Sequence, residues 1–113
     1  MTDHVMSPDE RAQEIEKRRQ VIDRLDRRIV ALVAERTRVV RELTEFKQDE
    51  ETVRSPGRVE QVIAKIRGIA EEEDMPPAIA EAVYRTLIAE LTRMQLDRLT
   101  ERREIAARTG QPC

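Results

Sequence analysis

The chain has 113 residues, 21 Lys and Arg against 23 Asp and Glu, and a formal net charge of -2. The length argues for one domain over residues 1–113, and the charge balance disfavours a strongly basic nucleic-acid binder. Charged residues make up 39%, with only three Gly, five Pro and the two aromatics Phe46 and Tyr84, which reads as long helices without a stacking platform for single-stranded nucleic acid.

In chain order, Met1 to Asp9 lacks the apolar core of a signal peptide. His4, the one histidine, leaves no set of histidines for a zinc site. Residues 1–10 are expected to fray, although Ser7 and Pro8 look like an N-cap and first helical position, with Asp9 and Glu10 in the first turn. No Gly or Pro occurs between Pro8 and Pro56. Apolar periodicity runs from about Ile15 to Phe46. One line at spacing seven holds Ile15, Ile22, Ile29, Arg36 and Leu43; a second holds Leu25, Leu32, Val39 and Phe46; a third holds Arg19, Asp26, Val33, Val40 and Lys47. A helix of about 38 residues is roughly 57 Å long, against a radius of gyration of about 13 to 14 Å for a compact domain of this size. A partner must cover much of the stripe.

Periodicity fails over Lys47 to Thr52, and Gln48 to Arg54 is expected to be a mobile piece able to close over a neighbouring site. Ser55 and Pro56 start a second helix as N-cap and N1, whose apolar face is Val59, Val62, Ile63, Ile66 and Ile69. The acidic run from Glu71 to Asp74 and Met75-Pro76-Pro77 end it. A third helix begins near Pro77 and places Ala80, Val83, Tyr84, Leu87, Ile88, Leu91, Met94 and Gln95 on one broad side. It runs to about Leu99 or Arg103, and residues 104–113 are expected to fray. Cys113, the one cysteine, leaves no internal disulfide and suggests a reducing compartment. No apolar run approaches the roughly 20 residues of a membrane span, so a cytoplasmic protein is expected, with no membrane or nucleic-acid partner. The fold class is all-α: a three-helix subunit, long-short-long, in a homodimeric bundle whose antiparallel long helices cover the first helix.

Several polar residues stand where apolar ones are due. Arg36 interrupts its line, either snorkelling or paired with Glu35 or Glu90, or forming an anion site inside the bundle. Arg19 and Lys47 flank the stripe about 42 Å apart along a helix, so they share a small ligand only if Arg19 comes from an antiparallel partner. Arg58 adds a cation in the first turn of the second helix, near free backbone N–H groups. Gln95 follows Ile88 by one heptad and faces inward, for a helix–helix hydrogen bond or for a ligand. The set suits a small dianion. It holds no nucleophile–base pair and no paired carboxylates, which argues against hydrolysis.

Over roughly residues 15 to 99 the chain resembles the all-helical chorismate mutase family. The segment from Arg19 to Val30 resembles its opening pattern, an Arg before I-D-x-[IL]-D. Arg36 in Leu32-Val33-Ala34-Glu35-Arg36, Lys47 in Phe46-Lys47, Arg58 and Gln95 match its other polar positions. The resemblance implies an intertwined dimer in which each site takes one arginine, here Arg19, across the interface. It implies rearrangement of chorismate to prephenate, a unimolecular pericyclic step without metal or cofactor. Arg19 and Arg36 then clamp the substrate's carboxylates, Lys47 and Gln95 donate to the ether oxygen where charge develops, and Arg58 adds positive potential. Ser55 and Val59 depart from the acidic residue and glutamate that hold the ring hydroxyl in many family mutases. Val59 is also a good core residue. The Ser55-Pro56-Gly57-Arg58-Val59 segment resembles the isochorismate-pyruvate lyase branch, which makes salicylate and pyruvate, and the 4-amino-4-deoxychorismate mutases. A non-catalytic helical dimer or adaptor is the alternative outside enzymes, and a larger activating partner enzyme is compatible with the sequence.

Overall fold

A computed structural model describes residues 5–110; the expectations for His4 and Cys113 lie outside the described residues. Those residues form four α-helices and no strand: α1 (Pro8–Thr44), α2 (Glu50–Arg54), α3 (Pro56–Glu72) and α4 (Pro77–Thr109). The all-α class follows from the composition. Packing divides the chain into two compact units, Met1–Thr37 and Arg38–Cys113.

The described part of the first unit is essentially one helix. Its start is a reciprocal capping box: the Glu10 N–H donates to Ser7 Oγ at 3.1 Å and the Ser7 N–H donates to Glu10 Oε1 at 3.3 Å. Helical order therefore begins at Pro8, inside the stretch expected to fray. Ile15, Ile22, Leu25, Ile29 and Leu32 are exposed, because a single helix has no second element of its own unit to cover its stripe.

The second unit packs α3 on α4 and α2 on α4. Its interior is Val53, Ile63, Ala70, Ala80, Leu91 and Leu99, with the polar Thr44 and Gln95 among them. Leu91, Gln95 and Leu99 recur every four residues and form one buried stripe of α4. Ile69 and Val83, expected to face inward, are exposed; Ala80 is buried as expected, and Ala70, next to Ile69 in sequence and not among the expected residues, is buried too. Arg85 bridges from α4 to Glu60 on α3 at 3.1 Å, and Arg67 reaches Glu81 at 2.8 Å. These exposed pairs contribute little individually.

The segment expected to be aperiodic contains α2. The Thr52 N–H donates to Asp49 Oδ1 at 2.7 Å, Arg54 pairs with Glu50 at 2.8 Å one turn away, and Val53 is buried. An N-cap, acidic first-turn residues and one apolar anchor thus suffice for five residues. Ser55 stands at the N-cap of α3 as expected, but its hydroxyl makes no capping hydrogen bond. Its backbone is left-handed (φ 34), whereas side-chain capping needs an extended one. Its N–H instead closes α2 by donating to Glu51 O at 2.9 Å.

The end of α3 is a Schellman motif. The Met75 N–H donates to Ala70 O at 2.8 Å and the Asp74 N–H to Glu71 O at 3.2 Å, with Asp74 left-handed at φ 56. Asp74→Gly is expected to stabilise the chain by about 0.5 kcal/mol, since Gly adopts that backbone without steric cost. A urea midpoint that rises at unchanged slope is the check; an unchanged or lower midpoint contradicts it. Helix α4 continues past Leu99 and Arg103 to Thr109, where Gly110 (φ 70) ends it. The helix thus reaches six residues beyond the Arg103 end expected from the sequence. Polar side chains on this last stretch bond to the turn after α1, as detailed below. No helix among the described residues is long and apolar enough to cross a membrane.

Candidate functional site

The site is built where α1 ends. Thr44, only 1% exposed, donates its hydroxyl to Val40 O at 2.7 Å and closes the last turn inside the protein. The chain then tightens into i to i−3 bonds: Glu45 N–H to Glu42 O at 3.2 Å, Phe46 N–H to Leu43 O at 3.1 Å and Lys47 N–H to Thr44 O at 3.0 Å. Five residues separate α1 from α2, and Lys47 is the middle one. The buried Thr44 before the link and the buried Val53 after it fix both ends.

Lys47 Nζ donates to Gln95 Oε1 at 2.9 Å, across 48 residues of sequence. The spacing marks each of these residues separately, and the resemblance implies both as donors to one substrate atom. Gln95 is 6% exposed, set between Leu91 and Leu99 on α4. An ammonium only donates, so the amide must turn its oxygen to Lys47. The amide nitrogen then faces elsewhere, and among the described residues it makes no hydrogen bond. Lys47 keeps two further N–H donors. Burial pushes the Lys47 ammonium below its ordinary pKa. The pair therefore presents mainly donors and positive charge: two ammonium N–H groups, the amide NH2, and one remaining lone pair on the amide oxygen. Gln95 and Thr44 also line a pocket of about 510 Å³ together with Arg41, Met94 and Arg98, within the size range of small-ligand sites.

Arg58 lies in the first turn of α3, exposed, and makes no side-chain hydrogen bond or ion pair among the described residues. Ser55 and Val59 beside it are half-buried. Arg19, exposed, and Arg36, half-buried, stand on α1 in the first unit, about 26 Å apart along the helix at 1.5 Å per residue. The structure thus brings Lys47 and Gln95 into contact. Within the second unit, and among the described residues, Ser55, Arg58 and Val59 make no side-chain hydrogen bond to that pair.

Three arginines of α4 were not singled out by sequence. Arg98 Nε donates to Glu45 Oε1 at 2.7 Å. Arg102 donates to the main-chain carbonyls of Thr44, Glu45 and Lys47. Arg103 donates to Gln48 O at 3.3 Å. The Arg98 guanidinium holds the Glu45 carboxyl below the usual range. A signal for Arg102 was present: it continues the inward line Ile88, Gln95, Arg102 at spacing seven, the same anomaly that marks Arg36. Among the described residues no group of His, Cys, Asp or Glu is arranged to hold a metal ion.

A family model described as chorismate mutase type II matches residues 18–96. The match contains Arg19, Arg36, Lys47, Arg58 and Gln95 and stops before Arg98, Arg102 and Arg103. Comparison with curated proteins gives no match.

Proposed function

The chain belongs to the chorismate mutase type II family, and from that premise we propose that it rearranges chorismate to prephenate. The observation that carries this reading is the 2.9 Å bond between Lys47 Nζ and Gln95 Oε1. The reaction is unimolecular and pericyclic. The ether C–O bond breaks as a C–C bond forms, and negative charge grows on the ether oxygen. An enzyme for it needs donors aimed at that oxygen and cations that fold the substrate into a compact chair. Lys47 and the Gln95 amide nitrogen are such donors, their orientation set by the bond between them. A well-placed donor of this kind is worth about 3 kcal/mol in the transition state. Arg36 and Arg58 bind carboxylate and supply positive potential.

Arg19 completes the site from a second copy of the chain. The exposed stripe from Ile15 to Leu32 supports a homodimer, since one helix cannot bury its own apolar face. Mixing Arg19→Ala and Arg36→Ala proteins under subunit exchange tests this. Each is expected to be nearly inactive alone, and the mixed dimer recovers one intact site. No recovery in a mixture shown to contain mixed dimers excludes the shared site.

Val59 favours one second reading. It places a half-buried apolar side chain in the first turn of α3, where the family resemblance puts a glutamate that holds chorismate's ring hydroxyl. Isochorismate carries that hydroxyl elsewhere, so a lyase giving salicylate and pyruvate does without the acceptor. Product analysis decides. The purified protein is incubated separately with chorismate, isochorismate and 4-amino-4-deoxychorismate, and products are identified by chromatography and mass spectrometry. Prephenate is the expected main product. Salicylate plus pyruvate at much higher kcat/KM replaces the mutase by the lyase. Preference for the amino substrate assigns a specialised mutase, and turnover of none overturns the catalytic reading.

A further inference from the structure

Arg102 stands on α4 one heptad beyond Gln95, and its side chain is only 15% exposed. Most of its donors go to main-chain carbonyls. Nη1 donates to Glu45 O at 2.9 Å and to Thr44 O at 3.3 Å, and Nη2 donates to Lys47 O. It also meets the Glu45 carboxylate at 3.4 Å. The last carbonyls of a helix have no partner within it, and they carry the negative end of its dipole. A planar guanidinium with donors spread in a fork can hold several successive carbonyls at once, whereas an ammonium is a single point of contact.

Lys47 is therefore held to α4 at both ends. Its ammonium meets Gln95, and its main-chain carbonyl meets Arg102. The residues that make the two contacts, Gln95 and Arg102, stand seven positions or about 10 Å apart along one helix. The backbone that launches Lys47 belongs to a five-residue link, not to regular helix. Without the arginine, the end of α1 and the link lose the guanidinium that grips Thr44, Glu45 and Lys47 together.

We propose that Arg102 is a positioning residue: by holding the carbonyls of Thr44, Glu45 and Lys47 it fixes the backbone from which Lys47 reaches Gln95 and the reacting oxygen. The part that concerns turnover rests on the mutase-type reading above; the part that concerns the placement of Lys47 does not.

The test uses the full chain with Arg102→Ala, Arg102→Lys and, as a control, Arg85→Ala. Arg85 pairs with Glu60 and Glu81, so its loss weakens α3–α4 packing without touching the turn. Two quantities are measured: kcat and KM on whichever substrate the unmodified protein turns over, and amide hydrogen exchange at Glu45, Phe46 and Lys47. Arg102→Ala is expected to lower kcat roughly 10- to 100-fold with much less change in KM, the signature of a displaced group. The three turn amides exchange about tenfold faster. Arg102→Lys is intermediate, and added methylguanidinium partly restores the alanine variant. Arg85→Ala leaves turn exchange unchanged and costs little in kcat. Exchange at the original rate in Arg102→Ala overturns the proposal. So does a fall in kcat that Arg85→Ala matches at equal loss of Tm. If the unmodified protein turns over no substrate, the mutase reading fails and exchange alone judges Arg102. If the alanine variant does not fold, the lysine variant decides by the same two measurements.

Discussion

Lys47→Ala is expected to lower kcat by roughly 10²- to 10³-fold, the loss seen when a preorganised donor to a developing oxyanion is removed. KM should change far less. The ether oxygen of the ground state is nearly neutral, so Lys47 meets its full partner only as the C–O bond breaks. A rise in KM at unchanged kcat shows instead that Lys47 merely docks the substrate. The same residue sets the alkaline limit of activity. Burial favours the neutral amine and lowers the ammonium's pKa below the ordinary 10.5. Activity that needs the charged form is complete below that lowered pKa and is lost as pH rises through it. The alkaline limb of kcat/KM, which reports the free enzyme, is therefore expected below pH 10.5. A limb at or above that value contradicts the placement of Lys47 in a desolvated site.

Gln95→Leu is expected to separate rate from stability. The side chain sits 6% exposed between Leu91 and Leu99, so leucine continues an apolar stripe and removes a buried amide. Lys47 loses an acceptor, a cost of about 1 kcal/mol or more for a buried group, but it is half-exposed and water can replace the amide oxygen. The net change in stability should stay within about 1 kcal/mol, while kcat falls by roughly 10²-fold for the missing donor. Full activity with reduced Tm returns Gln95 to the plainer role of a helix–helix hydrogen bond. Steady-state kinetics and a thermal melt on the same preparation distinguish the two.

Legibility in the sequence followed the physics of each signal. Ser7-Pro8, Ser55-Pro56 and Pro77 located the helix starts because prolines and caps act locally. Gln95 and Lys47 were visible because polar residues on apolar lines break a period. The helix from Glu50 to Arg54 was not, since its stability comes from the Asp49 cap and one buried valine, and five residues show no period. The end of α4 was misjudged because its residues looked solvent-bound. Arginines are commonly exposed, and only the structure shows that Arg102 spends its charge on carbonyls rather than on water. Which of Ile63, Ile69, Ala70, Ala80 and Val83 turn inward depends on where α3 and α4 touch, and a single helical period does not specify that.

The Lys47–Gln95 bond spans 48 residues, and the Arg102 bonds to the turn span 55 to 58. Protein is synthesised at about 5–20 residues per second, so Lys47 leaves the peptidyl-transferase centre roughly 2–10 s before its acceptor is made. Through that interval the lysine turn has neither the amide that receives its ammonium nor the guanidinium that holds its carbonyls. Helix α1 is complete long before α4 begins, yet the Lys47–Gln95 pair and the Arg102 grip on the turn form only once α4 has been translated and docked.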